Sequence, residues 1–147
     1  GSYPSGCFAQ IDELFKRAYP AKAAEMSARF RLTHYSQAGD AEKYIATAKN
    51  FMKNFEPRDA DELNEMAWNF YELASERKDL KLAAKWAKRA VSMSNNLYNN
   101  DTLASIYHSL GKKGRAIKTA KRAIEIARAN GEDFSATQRL LDEIRKS

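Results

Sequence analysis

At 147 residues, with 44% hydrophobic and 30% charged side chains, the chain is long enough for one domain with a continuous core and solvated outer faces. The net charge of +6 is uneven: residues 77–128 carry 13 basic against 3 acidic side chains, while residues 1–76 are net acidic. No run of about 18 apolar residues is present, so no membrane span is expected, and the single cysteine, Cys7, excludes an internal disulfide, a CxxC redox site and a cysteine zinc site.

Gly1-Ser2 reads as a tag remnant, residues 1–7 as a disordered lead, and no basic-then-apolar leader is seen. From about residue 8 the apolar positions recur at spacings of three and four, the helical period, with no sustained strand-like alternation. The first helix is predicted over 8–18. Pro20 fits the opening turn of a second, over 21–37. Gly39-Asp40 separates it from a third over 40–55, which Pro57 closes. Asp59 with Glu62 has the form of a capping box ahead of a helix over 60–75. A polar break from Glu76 to Asp79 precedes a helix over 79–94. Asn95-Asn96 and Asn99-Asn100-Asp101 form the turn and cap for a helix over 99–111, and Gly111 to Gly114 connects it to one over 113–130. Gly131 suits the end of that helix, and Ser135 with Gln138 is expected to cap the last, over 134–146. Connectors this short make consecutive helices antiparallel neighbours. The expected fold is therefore all-α, a stack of antiparallel helix pairs forming a single domain over 8–147.

The pieces repeat. Tyr35, Tyr71 and Tyr107 lie 36 residues apart, as do Asn64 and Asn100, while Ala83 and Ala116, and Ala90 and Ala123, lie 33 apart. The stretch Leu103-Ala104-Ser105-Ile106-Tyr107, with Leu110-Gly111 and then Ala116, Ala120 and Ala123, resembles the tetratricopeptide repeat. Small residues there let paired helices approach closely, and Tyr and Leu fill the gaps beside them. A second copy over about 61–94 carries Ala67-Trp68, Tyr71, Ala83, Trp86, Ala87 and Ala90. A degenerate copy over 25–57 carries Leu32, Tyr35, Gly39, Tyr44, Phe51 and Pro57. Tyr44 and Phe51 replace small residues in it, so its helix pairing should be wider or differently angled. Asn64 and Asn100 stand where the family usually has Trp. The resemblance implies a short right-handed solenoid of about seven or eight helices, with repeats at about 25–57, 61–94 and 98–130 and a capping helix at 134–146. Residues 63–71 and 84–91 are also similar to the helical C-terminal region of some bacterial thioredoxin-like proteins. That likeness implies a docking or dimerising role beside a redox domain lying outside this chain, and a periplasmic setting; without it the expectation is cytoplasmic.

No constellation for catalysis is found. His34 and His108 have no ligand partners at dependable spacing on a helix face, and nucleophile-elbow and Gly-rich phosphate loops are missing. Gly111-Lys112-Lys113-Gly114 is better explained as a repeat turn than as a phosphate loop, and Trp68 and Trp86 as core than as a ligand cage. Two surfaces remain. The resemblance implies an inner groove lined by first helices, with Glu62, Glu65, Asn69, Glu72, Tyr98, Asp101, Ser105 and His108 as its polar residues. Of the Lys/Asn/Arg cluster that some repeats of the family use to grip a peptide carboxylate, only Asn69 matches, since Glu65, Met66, Tyr98 and Asp101 occupy nearby places. Such a groove would favour a basic or neutral peptide. The second surface is basic: Lys81, Lys85, Lys88 and Arg89 on one helix and Lys118, Lys121 and Arg122 on its equivalent. Its bland reading is a solvated face, and its functional reading a patch for an acidic protein, nucleic acid or anionic surface. Few aromatics interleave with these lysines, which argues against nucleic acid. The expectation is a non-catalytic interaction module without cofactor, binding a protein or peptide, a thioredoxin-like domain or a second copy of itself.

Overall fold

The computed structural model describes residues 5–147; residues 1–4, expected as a tag remnant and the start of a disordered lead, lie outside the described residues. Eight α-helices and no strand are found among the described residues: α1 (Phe8–Ala18), α2 (Ala23–Ala38), α3 (Ala41–Asn54), α4 (Ala60–Leu73), α5 (Arg77–Met93), α6 (Leu97–Ser109), α7 (Lys113–Asn130) and α8 (Ser135–Lys146). The last three residues of the expected lead, Ser5–Cys7, form a single 3₁₀ turn that runs into α1. The chain divides into two compact units, one ending at Glu56 and one beginning at Pro57. The degenerate repeat falls almost wholly in the first, and the two better copies fall in the second.

In the first unit α1 packs on α2 and α2 on α3. Phe8 stands edge-on to Phe30, His34 and Tyr35, with ring centroids 6.0, 5.0 and 5.7 Å away. His34 is thus a packing residue beside two aromatic rings. On α3 the large Tyr44 and Phe51 are buried along with Ala48, as is Leu32 on α2, and Arg29 of α2 sits over the Phe51 ring at 5.0 Å. Pro20 falls in the turn before α2 rather than within its first turn, since the helix starts at Ala23.

In the second unit each helix packs on the next, and α4 meets α6 while α6 meets α8. Helices are therefore stacked as pairs. Small residues close the contacts: Ala83, Ala87 and Ala90 on α5, Ala104 on α6, and Ala116, Ala120, Ala123 and Ala127 on α7 have no solvent-exposed surface. Their spacing of three and four puts them on one helix face. Trp86 is core, edge-on to Phe70 with centroids 4.6 Å apart, while Trp68 is half-buried beside Tyr71. Tyr71 Oη accepts from Ser109 Oγ at 3.0 Å, and Arg77 Nη2 donates to Leu110 O at 3.0 Å, so polar bonds also join one pair to the next.

Helix ends follow local chemistry, with some departures from expectation. Asp59 Oδ1 accepts from Glu62 N at 2.8 Å as a capping residue should, but Glu62 reaches back to Arg58 N, one residue beyond the cap. The helix predicted from 79 begins at Arg77, because the polar break supplies a first turn with Asp79 in it; carboxylates suit that end. Asn96, not Asn99, caps α6, accepting from Asn99 N at 2.8 Å. Asn99 lies within the helix, fully buried, and donates to Ser94 O and Ala90 O at the end of α5. A buried amide thereby serves the Ser94 carbonyl beyond the last turn and adds a second donor to the Ala90 carbonyl, which also accepts from Ser94 N. Ahead of α8 the capping role falls to Asp133, whose Oδ1 accepts from Ser135 N and Oγ at 2.9 and 2.7 Å. At the end of α6, Gly111 takes φ of +74°, and the N–H groups of Gly111 and Lys112 donate to His108 O and Tyr107 O. This is a Schellman ending, and Gly131 repeats it after α7 with φ of +68°.

Candidate binding groove

An open hollow of about 690 Å³ lies in the second unit, between α5 and α7 above α6. Volumes of about 300–1,000 Å³ are those that take organic ligands or peptide side chains. Each wall comes from helical spacing. On α5, Lys88 and Val91 are three apart; on α6, Asn100, Leu103 and Tyr107 follow at three and four; on α7, Lys118, Lys121, Arg122 and Glu125 form a stripe beside Thr119. The alanine face of α7 is committed to α6 and α8, so the stripe of long charged side chains is left beside the groove.

Apolar and basic chemistry meet here. Val91, Leu103 and Tyr107 supply apolar surface, with Leu103 buried and the other two half-buried. Lys88, Lys118 and Lys121 are exposed, and among the described residues no acidic side chain pairs with them. Arg122 Nη1 lies 3.8 Å from Glu125 Oε2, a loose exposed pair of little energetic weight. Asn100 commits both amide hydrogens, to Asn95 Oδ1 and Asn96 O at 2.8 Å each. Its own carbonyl oxygen is left as the acceptor. A smaller hollow of about 280 Å³ on the other side of α7 shares Lys121 and Glu125 and adds Arg128 and Arg145.

Four of the seven basic candidates, Lys88, Lys118, Lys121 and Arg122, are thus brought together at one groove. Lys81, Lys85 and Arg89 are exposed on α5 outside its lining. None of the first-helix polar residues lines it. Glu65 and Glu72 are exposed and Asn69 and His108 half-buried. Glu62 is occupied at the start of α4, where it also approaches Arg58 Nε at 3.3 Å. Tyr98 is 66% exposed. Ser105 is buried and donates to Asp101 O, and Asp101 Oδ1 accepts from Thr137 Oγ1 at 2.7 Å, which ties α6 to α8. In the sequence Leu103 and Tyr107 stand as repeat positions, and nothing in their spacing or in that of Val91 marks them as the floor of an opening.

Of the expected turn from Gly111 to Gly114, Gly111 and Lys112 lie between α6 and α7, while Lys113 and Gly114 already belong to α7; Lys113 Nζ donates to Arg145 O at 3.2 Å. Cys7 is a half-buried free thiol. Among the described residues no group of three or more His, Cys, Asp or Glu side chains is placed to hold a metal ion, and no helix is long and apolar enough to cross a membrane. Comparison with protein-family models, curated proteins and solved structures finds no match to the chain.

Proposed function

We propose that the chain is a non-catalytic protein-binding module of tetratricopeptide-like helix pairs, and that it holds a segment of a partner protein in the groove between α5 and α7. The observation that carries this reading is the groove itself: an open trough with an apolar floor, bordered by charged side chains on two helices that a third holds apart. Preformed helical grooves bind peptides at low ordering cost because the receptor is already organised. The repeat-like alanines and the pairing of α4 with α6 support the tetratricopeptide likeness. Docking of a thioredoxin-like domain, implied by the likeness of residues 63–71 and 84–91, would be one instance of the same function.

The test is selection from a displayed library of short random peptides, followed by NMR titration of the recovered sequences. Binders are expected to perturb amides of α5, α6 and α7 around Val91, Leu103 and Lys118. Recovery of no binder, or perturbations confined to other helices, would refute the assignment.

A further inference from the structure

Resting on the protein-binding reading above, we infer that the groove takes an acidic amphipathic segment. One bulky apolar side chain seats over Val91, Leu103 and Tyr107, and carboxylates on either side meet Lys88 on one wall and Lys118 and Lys121 on the other.

Charge complementarity selects the occupant. Three lysine ammoniums border the opening without an acidic partner among the described residues, against one carboxylate, Glu125, that already faces Arg122. A basic segment would be repelled, and a neutral one would leave the lysines' mutual repulsion in place. Carboxylates would relieve it, and lysine stems would cover the flanks of an apolar anchor while their heads pair. Leu103 and its neighbours gain only from an apolar side chain that displaces water from the floor. The free carbonyl oxygen of Asn100 can accept from a backbone N–H of the bound segment.

Nucleic acid fits less well. Single strands bind through successive bases stacked on aromatic faces, whereas Tyr107 is the one aromatic ring in the lining, and it is half-buried against the α6–α7–α8 core. A small inorganic anion needs donors converging on a point; these lysines stand on opposite walls of a wide trough.

The experiment uses the whole chain and fluorescence anisotropy with three probes: a peptide of acidic residues around a central Leu, the same peptide with each acid replaced by Lys, and an oligothymidylate of similar charge. The acidic peptide is expected to bind at least about tenfold more tightly than its lysine counterpart. Its affinity should fall with salt, with the central Leu replaced by Ser, and with Val91→Asp in the protein. Lys118→Glu combined with Lys121→Glu should weaken it by about tenfold or more and raise affinity for the lysine peptide. Both positions are exposed, and circular dichroism will report whether the variant keeps its helices; the comparison among probes on the unmodified protein decides the matter if it does not. Library-selected peptides that occupy the groove without acidic preference would overturn the inference and leave the protein-binding reading standing. Failure of every peptide would overturn both. Equal or tighter binding of the oligothymidylate would assign the groove to nucleic acid instead. Self-association abolished by the lysine reversals would make its occupant a second copy of the chain and equally overturn the proposal.

Discussion

Arg31 grips Asp12 with both ends of its guanidinium, Nη1 to Oδ1 at 2.8 Å and Nη2 to Oδ2 at 2.7 Å, while its central carbon sits 4.9 Å from the centroid of the Phe8 ring. This bidentate pair pins α1 to α2 and combines charge, fork geometry and cation–π contact in one side chain. The Arg31 bond, helped by Ser27 and opposed by burial, holds the Asp12 carboxyl down to about 2 from its ordinary 3.8. Because the folded value is the lower one, the pair stabilises the folded state fully above 3.8, and the contribution fades as pH falls through 3.8 toward about 2. With 29% of the Asp12 side chain still exposed, solvent screening limits the effect to about 1 kcal/mol. Urea unfolding across this pH window, in wild type and Asp12→Asn, checks it: the variant should lose that component of the acid dependence. Parallel profiles would show that the pair adds nothing.

Ala116 has no exposed surface and belongs to the cluster joining α6, α7 and α8. Replacing it with Leu forces extra methyl groups into a closed helix contact and is expected to cost about 1–3 kcal/mol. The denaturation midpoint should drop with little change in the slope. An unchanged midpoint would mean that the helices stand further apart at this alanine than described.

Gly111 and Gly114 sit three residues apart and should respond to alanine with opposite signs. Open space surrounds both, so backbone conformation alone decides. Gly111 holds φ of +74°, and alanine there should destabilise by about 1–2 kcal/mol. Gly114 lies in the first turn of α7 without positive φ, and alanine there should stabilise by about 0.4–1 kcal/mol. Thermal unfolding of the two variants beside wild type gives the comparison. Shifts of the same sign would contradict the left-handed ending of α6.

Much of the fold was legible because its signals are local. Helical period, the alanine faces of α5 and α7, Gly111, Gly131 and the Asp59 cap each depend on residues within a few positions of one another, and each is found where spacing placed it. Boundaries slipped where two polar residues competed for one role: Asn96 against Asn99, and Asp133 against Ser135, decided by which side chain could reach a free N–H. The groove was legible only in part. Helical spacing grouped Lys118, Lys121 and Arg122, but their meeting with Lys88 depends on two helices facing each other across a third. The same apposition turns Leu103 and Tyr107, which read as core, into a floor, and no pattern within either helix encodes that.

In the second unit every helix makes its substantial contacts with helices one or two places away in chain order. Closing such contacts asks for short loops only, and loop entropy is the main barrier to early native pairing. The unit should therefore fold in milliseconds or less, growing from any pair outward, with no obligatory first step. The same locality makes its length adjustable: a further helix pair spliced between two existing ones would meet familiar neighbours on both sides and disturb nothing beyond them.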